Sequence, residues 1–110
     1  MKLKIYESPQ NIQVTRKRQL TRQQIVNYLW MARRTKEYVK FILDNYYYIM
    51  VIFNRDGSVN LVSNIKNDSS FLKQLYWLDR EGYDQGRWSW FIEFWINKFL
   101  DKNMKNLWGN

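Results

Sequence analysis

The chain has 110 residues, a formal net charge of +8, six Trp, eight Tyr and six Phe, and neither cysteine nor histidine. Lacking cysteine, it can form no disulfide and offers no thiolate to a substrate or a metal. Lacking histidine, it is without the commonest general base and transition-metal ligand, so a binding protein is expected rather than an enzyme.

The charge is one-sided. Residues 1–40 carry ten basic side chains against Glu7 and Glu37, which accounts for the whole excess, while residues 41–110 hold eight basic and eight acidic. A positive potential at one end attracts polyanions and orients them as they arrive. The length suits a single domain over 1–110, with a basic arm and helix (1–45) before a hairpin and aromatic helices (46–110). No apolar stretch of signal-peptide type follows the N-terminal lysines. The longest apolar run, 46–53, is far short of a membrane span, so a cytoplasmic protein is expected.

In chain order, Leu3 and Ile5 alternate with charged neighbours over 2–7, the pattern of a half-buried strand. Ser8-Pro9 gives a turn, and Ile12 and Val14 continue the alternation in a short second strand. Thr15-Arg16-Lys17-Arg18-Gln19 has no apolar side chain and is expected in solvent. Thr21 and Gln24 form a capping box, flanked by Leu20 and Ile25 as a hydrophobic staple. The helix they start is expected to run to about Asp44 and to end on Asn45 as a left-handed cap. Ile25, Tyr28, Leu29, Ala32, Val39 and Leu43 then form one apolar stripe. Val26, Trp30 and Phe41 fall on a second side, beside Arg33, Arg34 and Glu37.

Residues 46–54 are β-branched and aromatic on both faces, as in a central strand. Asp56-Gly57 marks a hairpin, and Val59, Leu61, Ser63 and Ile65 alternate along the return strand. Asn67-Asp68-Ser69 caps a short helix carrying Phe71, Leu72, Leu75, Tyr76 and Leu78 that stops near Gly82. A long helix over 88–108 follows, apolar nearly all round. Hairpins and helices segregate, so the expected class is α+β: a small antiparallel sheet of two hairpins against about three helices, in the order ββαββαα.

The first candidate site is basic. Arg16, Lys17, Arg18, Arg22, Arg33 and Arg34 are expected to contact nucleic-acid backbone, because Arg and Lys neutralise phosphates and Arg adds forked hydrogen bonds. Arg22 stands at a helix N-terminus, where the dipole disfavours a cation by a few tenths of a kcal/mol. The second candidate is a protein-binding surface anchored on Trp30, Arg34 and Phe41, a residue mix typical of hot spots. Asp79, Glu81 and Asp84 form the one dense acid group, but its spacing is not that of a calcium loop and Arg80 and Arg87 stand beside it. No metal and no cofactor is expected, and no glycine pattern cradles a phosphate.

No motif names a family. The small size and the abundance of Asn, Lys, Ile and Tyr resemble the accessory proteins of phages and mobile elements in AT-rich bacteria. That resemblance implies an alternative function, an inhibitor or adaptor that binds a host nucleic-acid enzyme or defence nucleoprotein. Trp90, Phe94, Leu107 and Trp108 lack an obvious cover, so a homodimer through the C-terminal helix is also expected, and no membrane partner.

Overall fold

Alternation and helical periodicity sort residues 10–104, which the computed structural model describes, into four strands and three helices. In order these are β1 (Gln10–Val14), α1 (Arg22–Thr35), β2 (Tyr38–Leu43), β3 (Tyr47–Phe53), β4 (Val59–Ser63), α2 (Ser69–Glu81) and α3 (Gln85–Met104). The class is α+β. The strand expected over 2–7 lies outside the described residues, as do Leu107 and Trp108.

Helix α1 starts where the sequence places it. Thr21 Oγ1 accepts from the Gln24 amide at 3.1 Å, and the Gln24 side chain accepts from the Thr21 amide at 2.8 Å. It does not run to Asp44. Lys36 turns left-handed (φ 57°) and caps α1, and residues 38–43 form a strand. Val39 and Leu43 are therefore strand residues facing the core, not part of a helical stripe. Asn45 caps no helix. With Asp44 it supplies the positive-φ pair of the tight turn between β2 and β3 (φ 55° and 63°), closed by the Tyr46 amide donating to the Leu43 carbonyl.

The sheet order is β1-β2-β3-β4. β1 and β2 run parallel with α1 as their crossover, while β2–β3 and β3–β4 are antiparallel. Of the two expected hairpins, the one at Asp56-Gly57 is β3–β4, and the other, between the strand over 2–7 and β1, has its first arm outside the described residues. β2–β3 is a further hairpin, formed where the helix was expected to continue. Residues from both sides of position 45 share this one sheet.

Register sorts the strand side chains onto two faces. Val39, Phe41, Leu43, Ile49, Val51, Phe53 and Leu61 point inward and are buried under the helices, against Ile25, Leu29 and Ala32 of α1. Phe71, Leu75 and Leu78 of α2 and Trp88, Phe91, Ile92, Trp95 and Phe99 of α3 complete that core. The ring contacts are specific: Phe71 stacks on Phe91 at 5.4 Å and meets Trp95 edge-on at 5.3 Å. α3 packs against both α1 and α2. The other sheet face carries Tyr38, Lys40, Ile42, Tyr48, Met50, Ile52, Asn60 and Val62, outside that core. Among the described residues, no helix is long and apolar enough to cross a membrane.

Candidate nucleic-acid interface

The basic triplet sits in the connection between β1 and α1. Thr15 and Arg18 exchange backbone hydrogen bonds (3.0 and 3.4 Å), and Thr15 Oγ1 also accepts from the Arg18 amide. Gln19 ties the turn further by donating to the Arg16 carbonyl at 3.1 Å. The segment is a closed turn rather than a loose arm, and it holds Arg16, Lys17 and Arg18 in solvent. None of the three pairs with a carboxylate among the described residues. Asp44 lines a depression together with Arg16, Lys17 and Leu100.

The remaining cations are spread along α1. Arg22 Nε binds Glu93 Oε1 of α3 at 2.7 Å, which explains how a cation is kept at a helix N-terminus. Arg34 lies over the Trp30 ring at 4.7 Å, one helical turn away. Arg33 lies over the Tyr83 ring at 5.8 Å, beside the α2–α3 connection. At a rise of 1.5 Å per residue, Arg22 and Arg33 are about 16 Å apart along the axis. The six basic residues therefore form a band along one helix and its leading turn, not a single patch.

The expected anchor set does not assemble. Trp30 and Arg34 stay together on α1, with Trp30 50% exposed. Phe41 is fully buried on β2, edge-on to Tyr28 at 6.3 Å, and cannot meet a partner. Glu37 leaves that surface too: its backbone bridges α1 to the sheet, donating to the Ala32 carbonyl and accepting from the Phe53 amide. The acid group is likewise dispersed. Asp79 accepts from the Leu61 amide of β4 at 2.9 Å, and Asp84 caps the first turn of α3 through the Arg87 amide at 2.9 Å. No group of acids that could hold a metal ion occurs among the described residues.

A second feature was not singled out in the sequence. Trp77 of α2 and Trp90 of α3 line a groove of about 560 Å³, with Leu78, Phe91, Arg22 and Arg87 also in its walls. Arg87 lies 5.5 Å from the Trp77 ring centre, and Trp90 stacks on Phe94 at 5.1 Å with the planes 11° apart. Tyr76 and Trp77 lie off the Phe71, Leu75, Leu78 stripe of their helix, which was the available signal. Where α2 passes into α3, Tyr83 Oη and Trp88 Nε1 are buried without hydrogen-bond partners among the described residues. Burial pushes the Tyr83 hydroxyl up to about 12, outweighing the opposing pull of Arg33.

Comparison with known proteins gives this surface no precedent: no family model, no curated protein and no solved structure matches the chain.

Proposed function

We propose that this protein is a non-enzymatic binding module that grips nucleic-acid backbone with Arg16, Lys17 and Arg18, extended along α1 by Arg22, Arg33 and Arg34. The observation that carries this is the triplet itself: three adjacent cations held in solvent by a closed turn, none of them in an ion pair among the described residues. Such groups gain most from phosphates, which release condensed counterions when they are bound.

The reading is tested by the salt dependence of binding to labelled DNA and RNA. Neutralising about five phosphates lowers affinity about five-hundredfold between roughly 50 and 200 mM salt. Replacing Arg16, Lys17 and Arg18 together by Ala reduces the slope of log affinity against log salt by about three, with thermal stability unchanged. Salt-insensitive binding, or no binding at low salt, refutes it.

The alternative is an inhibitor or adaptor that docks on a host nucleic-acid enzyme or nucleoprotein. What favours it is the half-exposed Trp30 carrying Arg34 on its face, a pair suited to a hot spot. A complex formed with a purified nuclease or defence complex after nuclease treatment, and abolished by Trp30→Ala, would select this reading over the first.

A further inference from the structure

The α2–α3 groove has a character that backbone binding by the 15–18 turn does not use. Its walls are mainly rings and aliphatic groups, yet two of its side chains are arginines and one is an amide. Each indole is fixed from one side, Trp77 by the Arg87 guanidinium and Trp90 by the Phe94 ring. Even so, Trp77 is 44% exposed and Trp90 47%. Rings already held in place lose little freedom when a further flat group lies against them.

The polar groups of the groove are donors. Gln74 accepts from Trp95 Nε1 at 3.1 Å through its carboxamide oxygen, so its NH2 group is left without a partner among the described residues. Glu93 engages Arg22 through Nε, which leaves the terminal guanidinium nitrogens as further donors. Arg87 makes no ion pair among the described residues. A ligand that fits must be flat, apolar on its faces, rich in acceptors and negatively charged close by. A nucleobase with its flanking phosphates has all four properties. An aliphatic chain has none of the charge, and a base inside a duplex has its faces covered by its neighbours.

We infer that this groove is a subsite for unpaired bases of a single strand. A base lies against Trp77 or Trp90, its flanking phosphates meet Arg87 and Arg22, and the Gln74 amide donates to its acceptors. This rests on the nucleic-acid reading above and adds a preference for unpaired strands, which the basic turn alone does not confer.

The test uses the full chain at roughly 50 mM salt and three labelled probes: a fifteen-residue oligothymidylate, an abasic strand of the same length and charge, and a duplex of equal length. The wild-type protein is expected to bind the thymidylate about tenfold more tightly than the abasic strand, the scale of one stacked base. Trp90→Ala and Trp77→Ala are each expected to remove that margin while duplex affinity stays within about twofold, and Trp90→Phe, which keeps a ring, to restore part of it. Equal binding of thymidylate and abasic strand by the wild type overturns the inference and leaves backbone binding standing. Equal loss on all probes in the Trp variants also overturns it, since the rings would then serve the fold. Failure of the wild type to bind any probe overturns both readings. A species of twice 13.7 kDa in sedimentation that Trp90→Ala dissociates overturns it as well, because a second copy of the chain would then occupy the groove.

Discussion

The outer side of the sheet and the outer side of the helical layer both turn apolar side chains toward solvent, and they do so differently. On the sheet, each such side chain has a cross-strand neighbour: Tyr38 faces Ile52, Ile42 faces Tyr48, and Met50 stands between Lys40 and Val62. The Lys40 ammonium closes over the Tyr48 ring at 4.6 Å. The result is a face whose apolar groups are all half-buried by one another. On the helices, Tyr76 stands well exposed, and so do Trp30, Trp77, Trp90 and Phe94 despite their ring or cation partners. A flat sheet can satisfy its surface by lateral pairing, whereas rings on a convex helix cannot be hidden by their neighbours. Apolar area on the helical side is therefore the better guide to binding.

Stability measurements on the two sides separate them. The largest effect belongs to the inner sheet face, where Phe41→Ala is expected to cost about 3–5 kcal/mol in urea unfolding. A loss below about 1 kcal/mol would place Phe41 outside the core and return it to the surface. On the outer sheet face, Met50→Ala is expected to cost about 1 kcal/mol through its lost cross-strand contacts. Trp90→Ala on the helical side should stay within about 0.5 kcal/mol, since a surface ring contributes little to the fold. If the order of the last two were reversed, Trp90 would be structural and the sheet face the one awaiting a partner.

A pH dependence marks the seam between helices and hairpin. The unfolded chain releases the Tyr83 proton near its ordinary value of 10.0, while the folded chain holds it to about 12. The stability that neutral Tyr83 contributes is thus complete below pH 10 and lost as the pH rises from 10 to 12. Tyr83→Phe abolishes that part of the alkaline decline and, by removing a buried hydroxyl with no partner among the described residues, raises stability at neutral pH by about 1 kcal/mol or less. Melting temperatures of both proteins from pH 9 to 12 decide it. Parallel curves would show that the hydroxyl reaches water.

Local chemistry made much of this fold legible. The Thr21–Gln24 box, the Asp56-Gly57 turn, and the Asp68 and Gly82 ends of α2 all stand where their side chains and conformational preferences put them. The end of α1 was hidden because no glycine or proline marks it: a lysine takes the left-handed cap. Ala32, Val39 and Leu43 are also spaced by seven and four, so a strand alternating inward at 39, 41 and 43 imitated the continuation of a helical stripe. Phe41, which broke that stripe, was the discordant residue. Losing β2 to the helix carried Phe41 onto a surface it does not share, whereas Trp30 and Arg34, on either side of one true helical turn, were grouped correctly. The groove was hidden for another reason. Trp77, Trp90 and Arg87 are brought together by the packing of α2 on α3, and no single stretch of sequence spells it.

Asp79, read from sequence as part of an acid cluster, has a consequence for how the protein behaves in a crowd. β4 is an end strand, and the amide of Leu61 that points away from β3 is already taken by the Asp79 carboxylate. A strand from another molecule that approaches this side finds that amide occupied and a negative charge in its path. The carboxylate thus acts as a stopper at this point of the sheet edge, and it is α2 that carries it there.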